Sequence, residues 1–285
     1  MIVYVRKLYK PSLIYKLFGK FKIEEIQGKT IINLPINSKS HKRRVKRITE
    51  KLCKYLYKNS IRNLVLEQEL FNNEEFKNTL YSNNENILDG SKLAKFLVYK
   101  VIQKVFNLKN KNIQAGEVTI LANQNDDITI EHIMQTARNA KRLNIITSNT
   151  KKFKNLIDYL FEELGIIIKL SNNLNFNLKS SDVIVNMDFT EENLNKLAIP
   201  NNATIVNVQK NIDIYSKKFA GINIKTWEIN IPSDIKLKGF LDNHLYEALL
   251  FTMIPIKAFE QIEKDNITIK KLIGKNGAIN KKEFK

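Results

Sequence analysis

An alternation of apolar segments with amphipathic helical segments over residues 116–210 constrains the fold more than any other feature of this sequence. The run E-V-T-I-L-A-N, which begins at Glu117, is almost continuously apolar, as is typical of a strand buried on both faces of a parallel sheet. Similar runs start near residues 143, 165, 182 and 203, and helical patterns cover 128–142 and 150–164, the second ending at Gly165. This order predicts right-handed βαβ crossovers and a parallel sheet.

The turn after the first of these strands reads A-N-Q-N-D-D-I-T. In a parallel sheet of this kind the first strand-to-helix turn normally holds a pyrophosphate, and its glycines let the phosphate approach the backbone. This turn contains no glycine. Asp126 and Asp127 stand where a carboxylate caps a helix and complements its dipole, but where it would also repel a phosphate. We therefore expect a self-capped structural helix rather than a phosphate site.

The end of the second strand carries polar and basic residues. It has no acidic residue to accept a hydrogen bond from a ribose 2′-hydroxyl, and polar and basic groups there suit the 2′-phosphate of NADP. The candidate cofactor-binding residues are Ser148, Asn149, Thr150, Lys151 and Lys152. The alternative is a helix cap followed by a solvated lysine face, which the abundance of lysine favours.

Three motifs in residues 87–210 resemble those of a diverged shikimate dehydrogenase. Asp89-Gly90 resembles the N-T-D-G motif of that family, S-N-T-K-K-F-K resembles its NADP loop, and D-V-I-V-N-M-D resembles its apolar strand ending in asparagine. The resemblance implies a Rossmann-type NAD(P)-binding half, NADP as cofactor and Asp89 as a proton carrier. The glycine-rich motif of the family is missing.

A second departure concerns the lysine that pairs with the motif aspartate in that family. Asn37 stands two positions after Pro35 where a lysine would be expected, and Lys39 and Lys42 are out of register. No catalytic lysine is therefore carried over. Asp89 is either a proton carrier or a turn aspartate before Gly90, and the turn is the favoured interpretation.

The formal net charge of +18 is concentrated at the two ends of the chain. Residues 1–60 carry +13 and residues 263–285 carry +4, which leaves +1 for the rest. An amphipathic helix with a cationic first half is predicted after residue 40, and cations there oppose the helix dipole. These candidate polyanion-binding residues are Lys42, Arg43, Arg44, Lys46 and Arg47. They predict an acidic macromolecule or an anionic membrane surface as partner, with a solvated helix face as the alternative.

The N-terminal segments are also mixed in type. Residues 1–9 alternate as an edge strand does, 11–21 form a basic amphipathic stretch suited to a membrane surface or to docking on its own domain, and two strands turn at Gly28.

We predict an α/β protein of two lobes, in which a smaller mixed α/β lobe precedes a Rossmann-like lobe with a parallel sheet. The expected organisation is an N-terminal lobe at 1–90, a linking helix at 91–110, a Rossmann-like domain at 111–240, and C-terminal helices with a frayed basic tail at 241–285.

Few residues suit metal or thiol chemistry. Cys53 is the only cysteine and is expected to be a buried, inert thiol in a reducing cytosol. His132 and His244 lack companions at metal-ligand spacing, so no metal site is expected. The apolar runs are too short to span a bilayer, and we expect a cytoplasmic protein.

Three functional hypotheses follow. The favoured one is a degenerate Rossmann-like protein without catalysis, which has a regulatory or interaction role; whether the chain forms a homo-oligomer is left open. The second is an NADP-dependent oxidoreductase of the shikimate dehydrogenase type. The third is a polyanion binder that uses the basic N-terminal lobe.

Overall fold

The structure is a computed structural model that describes residues 1–9, 15, 19–36, 40–173, 176, 178–208, 212–213 and 219–284. The predictions for Asn37, for Lys39 and for most of the stretch 11–21 lie outside these residues. The chain divides into two compact units. The first comprises residues 1–90 and 231–253, and the second comprises 91–230 and 254–285.

The first unit contains a sheet with the strand order β2-β3-β1-β4-β5 among the described residues. Its strands are β1 Ile2–Lys7, β2 Lys22–Ile26, β3 Lys29–Leu34, β4 Asn63–Leu66 and β5 Asn86–Ile87. Its helices are α1 Lys42–Lys58, α2 Gln68–Phe71, α3 Glu74–Ser82 and, from the later segment, α9 Asp242–Leu250. The apolar stripe of α1 packs into the core of this unit.

The prediction that β1 is an edge strand is wrong. It lies between β3 and β4 and pairs with both in parallel. Val3, Tyr4 and Val5 are consecutive and all buried, so both faces of the strand are covered, which is typical of an interior position. The predicted turn at Gly28 is confirmed, since β2 and β3 form an antiparallel hairpin there and Gly28 has a φ of 69°.

The second unit is built on a parallel sheet with the strand order β11-β10-β9-β6-β7-β8 within the described part of the chain. These strands are β6 Glu117–Leu121, β7 Arg142–Ile146, β8 Ile168–Ser171, β9 Val183–Asn186, β10 Thr204–Asn207 and β11 Ile222–Ile224. All their pairings are parallel. Counted from β6 as strand 1, the order is 3-2-1-4-5-6, which is the order of a doubly wound Rossmann fold. The predicted α/β fold class is confirmed.

The helices of the second unit differ from their predicted bounds at several ends. They are α4 Ser91–Phe96, α5 Val98–Leu108, α6 Asp127–Asn139, α7 Lys154–Leu164, α8 Glu191–Asn195 and α10 Pro255–Lys264. The linking helix predicted at 91–110 is interrupted at Leu97, whose backbone has a φ of −97° and a ψ of 1°. No proline or glycine marks this interruption in the sequence. A short 3-10 turn, Thr150–Phe153, precedes α7, and Gly165 ends α7 in the left-handed conformation as predicted.

The tail predicted to be frayed forms strands instead. The strands β12 Thr226–Asn230, β13 Thr268–Gly274 and β14 Gly277–Ala278 make an antiparallel sheet in the second unit. Leu272 pairs with Trp227, and both side chains are buried. Long-range pairing therefore overrides the lysine-rich composition of the tail.

Among the described residues, no helix combines the length and the apolar character that a membrane span requires.

Candidate functional site

The candidate site of the second unit lies beyond the carboxyl ends of β6 and β9. The strand order reverses between these two strands, and in open α/β sheets the ligand crevice opens at such a point. The turn that leads from β6 into α6 and the segment that follows β9 meet there.

The carboxylate of Asp188 binds the backbone of the first turn. Its two oxygens accept hydrogen bonds from the Asn123 amide at 2.8 and 3.0 Å, and one of them also accepts from the Gln124 amide at 2.8 Å. In a nucleotide-binding Rossmann fold, backbone amides at this turn and at the start of the following helix face the pyrophosphate. Here a carboxylate of the chain itself occupies two of those donors.

Burial raises the pKa of the Asp188 carboxyl above its ordinary value, although the hydrogen bonds from Asn123 and Gln124 oppose that shift. The side chain is half-buried, so its charge is only partly screened by water. The negative charge of Asp188 therefore repels any anion that approaches the amides of Asn123 and Gln124.

Asp126 closes the start of α6 in the predicted way. It is the N-cap residue, and its carboxylate accepts a hydrogen bond from the Thr129 amide at 2.8 Å. Asp127 follows in the first turn of the helix. The capping prediction is confirmed, and the helix start already holds its own anion.

Asn186 holds the backbone beside Asp188. Its side-chain oxygen accepts from the Phe189 amide at 2.8 Å, and its side-chain nitrogen donates to the Phe189 carbonyl at 3.1 Å. The same nitrogen donates to Asn207 Oδ1 at 2.9 Å, and Asn207 Nδ2 donates in turn to Asn223 Oδ1 at 2.5 Å. Asn186 and Asn207 are fully buried, so this chain of amides fixes the segment that carries Asp188.

The sequence reasoning missed this asparagine chain. The signal that could have found it is the recurrence of asparagine near the end of apolar strands, as in I-V-N, I-V-N and I-N-I. A side-chain amide on a buried strand needs a hydrogen-bond partner, and here the asparagines of neighbouring strands are partners of one another.

The residues predicted to bind NADP lie against the same turn. The Ser148 amide and hydroxyl donate to Asn123 Oδ1 at 2.8 and 2.6 Å, and Asn125 Nδ2 donates to the Lys152 carbonyl at 2.8 Å. Asn149 and Thr150 begin the 3-10 turn, and Asn149 makes no side-chain capping bond there. The side chains of Lys151 and Lys152 are exposed. The fold thus brings this segment onto the first turn, and its role in binding NADP stays a prediction.

His132 is a buried residue of α6. Its Nε2 contacts the Lys95 carbonyl, which can only accept, so Nε2 carries a proton. Burial lowers the pKa of His132 to about 4. Within the described residues, its Nδ1 has no hydrogen-bond partner, and the same holds for Thr136 Oγ1 one turn further on. His244 is buried in the first unit, with its ring 4.7 Å from that of Phe71.

No group of His, Cys, Asp and Glu side chains within the described ranges could hold a metal ion. Cys53 is buried, as predicted, and burial raises the pKa of its thiol to about 11. A thiol that stays protonated at neutral pH is a poor nucleophile and a poor ligand.

Asp89 belongs to the first unit and lies two residues after the end of β5. Gly90 comes next with a φ of 80°, and a Cβ added to it would lie 3.1 Å from Asn243 Cβ. A glycine is therefore required at the second position of the Asp-Gly pair for local reasons. The role of Asp89 as a proton carrier stays a prediction.

The predicted polyanion-binding residues begin α1 in the first unit. Lys42, Arg43, Lys46 and Arg47 are exposed. Arg44 is half-buried and its Nη2 donates to the Pro35 carbonyl at 3.3 Å. Four of the five cations are therefore exposed to solvent, and the fifth, Arg44, binds a backbone carbonyl of its own unit.

No family model and no curated protein matches this sequence. Among solved structures it is similar to an L-tryptophan dehydrogenase from Nostoc punctiforme at 11% identity, with 82% of this chain and 67% of that chain covered and a TM-score of 0.37. It is similar to a shikimate 5-dehydrogenase from Listeria monocytogenes at 8% identity, with 92% and 96% covered and a TM-score of 0.35. A third similar structure is an L-alanine dehydrogenase at 11% identity, with 74% and 71% covered and a TM-score of 0.36.

These neighbours are dehydrogenases, at low identity and low TM-score. All three TM-scores are below 0.5.

Proposed function

We propose that this protein is a degenerate Rossmann-like protein that does not catalyse a dinucleotide-dependent reaction and has a regulatory or interaction role. The observation that carries the proposal is the contact of the Asp188 carboxylate with the amides of Asn123 and Gln124. The chain itself satisfies the donors that a dinucleotide pyrophosphate would need.

Electrostatic repulsion also disfavours a pyrophosphate at this turn. Two unit charges about 4 Å apart repel by roughly 4 kcal/mol at an effective dielectric constant near 20. An energy of that size corresponds to about a thousandfold in affinity. A pyrophosphate at this turn would meet Asp188 and also the carboxylates at the start of α6.

The turn is also poorly shaped for a phosphate. Every residue from Ala122 to Asp127 carries a Cβ, whereas close approach of a phosphate to the backbone is normally permitted by glycine. The side chains of Asn123 and Asn125 are bonded to the segment that follows β7, which ties the turn in place. Displacing Asp188 would therefore also disturb a bonded network.

The first test is thermal unfolding of the wild-type protein with NADP, NAD and ATP, each at millimolar concentration. A ligand that binds the native state raises its stability by roughly 2.7 kcal/mol at a hundred times its dissociation constant. We expect no shift with any of the three. A rise with NADP alone, together with a turnover that Asp89→Asn abolishes, would overturn the proposal in favour of an NADP-dependent oxidoreductase.

The second test is the affinity of Asp188→Asn for inorganic pyrophosphate, measured by calorimetry. The substitution removes the charge and keeps the size of the side chain, so we expect affinity to rise at least tenfold over wild type. Asp158→Asn removes the same charge from an exposed site on α7 and is the matched control. An equal affinity for pyrophosphate in Asp188→Asn and wild type would show that Asp188 does not prevent pyrophosphate from binding at the turn.

A further inference from the structure

The outward face of α1 is rich in cations and holds one acidic residue, Glu50. The helix has 17 residues, of which eight are Lys or Arg and one, Glu50, is acidic. At 100° per residue, the cations that point away from the buried face form what we call the basic ridge, namely Arg43, Lys46, Arg47, Lys54 and Lys58. The ridge spans 15 residue steps, or about 22 Å of helix.

One acidic residue, Glu50, lies on the same face as the basic ridge, four residues after Lys46 and four before Lys54, so it compensates only part of the charge of the ridge. Among the described residues, none of its five side chains takes part in a salt bridge, and the first turn of α1 contains no acidic residue. Arg43 and Arg47 are four residues apart, as are Lys54 and Lys58, and like charges at that spacing destabilise a helix. The cations in the first turns also oppose the helix dipole. A bound polyanion would relieve both effects.

The fold does not need these cations. The opposite face of α1 is buried among apolar residues of the first unit, including Val45, Ile48, Leu52 and Leu56. Packing therefore fixes the helix and leaves the ridge free to contact a partner.

The chemistry of the surface favours a nucleic acid over a membrane. A helix that lies on a bilayer buries an apolar face in the lipid, but the apolar face of α1 is already inside the protein. Each strand of a double helix carries about one phosphate per 3.4 Å of axis, and an extended single strand spaces its phosphates more widely, so a ridge of about 22 Å can still contact several in succession. Arginine binds phosphate through two parallel hydrogen bonds, and two arginines stand in the ridge.

Tyr57 adds a feature that phosphate binding alone does not need. Its ring is 76% exposed and lies on the same outward face, about one turn after Lys54. Exposed aromatic rings beside cations are stacking platforms for unpaired bases.

We propose that the basic ridge of α1 binds single-stranded nucleic acid through its phosphate backbone, with Tyr57 stacking on a base. This assigns a partner class to the interaction role proposed above. It rests on residues of the first unit, whereas the closed turn belongs to the second, so either proposal can fail while the other holds.

The test is fluorescence anisotropy of a labelled 20-nucleotide oligouridine, titrated with the full chain between 50 and 200 mM salt. For single strands the slope of log affinity against log salt is about −0.7 per phosphate contact, so five contacts predict a slope near −3.5 and a loss of about a hundredfold over this range. In the triple variant Arg43→Gln/Arg47→Gln/Lys54→Gln, the loss of three contacts should reduce the slope by about 2. Tyr57→Ala should weaken binding several-fold and leave the slope unchanged.

The matched control is Lys141→Gln/Lys154→Gln/Lys264→Gln, which removes the same charge from exposed lysines of the second unit. We expect it to bind within twofold of wild type, and circular dichroism verifies that both triple variants fold. Equal binding by the two triple variants would overturn the proposal. So would competition by polyglutamate as strong as that by unlabelled oligouridine, or ridge-dependent binding to phosphatidylserine vesicles without binding to the oligonucleotide.

Discussion

Asn186 and Asp188 lie at and just after the end of β9, and their side chains bind the backbone of two different segments. Asn186 holds both polar groups of Phe189, while Asp188 reaches across to the turn after β6. A buried asparagine with several bonds positions its neighbours more firmly than an exposed loop residue can. The position of the Asp188 carboxylate is therefore fixed by a polar network and is not a chance contact of a mobile side chain.

At the scale of single residues, His132 predicts a pH dependence of stability. Burial lowers its pKa from 6.5 to about 4, so the folded state favours the neutral ring. The stability that it contributes is complete above pH 6.5 and declines as the pH falls toward 4, because the unfolded chain binds the proton first. The full loss is about 3 kcal/mol at 1.36 kcal/mol per pKa unit.

His132→Gln checks this prediction, because glutamine can still donate to the Lys95 carbonyl and does not titrate in this range. Urea unfolding from pH 7 to pH 4 should show a flatter decline for the variant than for wild type. His41→Gln, at an exposed histidine, is the control. Identical pH profiles for wild type and His132→Gln would contradict a buried neutral ring.

At the scale of elements, the start of α6 is stabilised by its own cap. Replacing Asp126 with alanine removes the bond from the Thr129 amide and should cost about 1 kcal/mol. Asp127→Ala deletes a charge one position later, where no side-chain capping bond is made, so it should cost less. The measurement is the difference in urea midpoint between the two variants, and equal midpoints would mean that charge alone, not the cap, stabilises this helix.

The other element boundaries show what local sequence can specify. Gly165 marks the end of α7 because glycine adopts a left-handed conformation with less strain than residues that carry a Cβ. Leu97 interrupts a helical pattern with no such marker, and its side chain is fully buried. Tertiary packing at Leu97 decides a break that helix propensity alone would not predict.

At the scale of the whole molecule, β12 and β13 join segments that are far apart in the chain. Leu272→Ala should cost about 2–5 kcal/mol, because a buried side chain against Trp227 is lost. Trp227 is the only tryptophan, so its fluorescence emission should also move to longer wavelength as the ring becomes more hydrated. Lys271→Ala, on the same strand but exposed, should change neither quantity. Unchanged emission in Leu272→Ala would argue against the pairing of these strands.

Much of the fold follows from local patterns in the sequence. Apolar runs between amphipathic helices predicted the parallel sheet of the second unit, because strands buried on both faces must be apolar throughout. The sequence also predicted the lack of glycine in the turn after β6 and the capping role of Asp126, because glycine content and helix caps are local features.

Only the tertiary structure decided which distant groups meet. In the sequence, Asp188 is only the last residue of the motif D-V-I-V-N-M-D, and its bond to Asn123 depends on the pairing of β6 with β9. The interior position of β1, the strands of the tail and the asparagine chain likewise depend on strand order. Periodicity along the chain reports which faces are buried, whereas the partner that buries each face is set by packing between segments far apart in sequence.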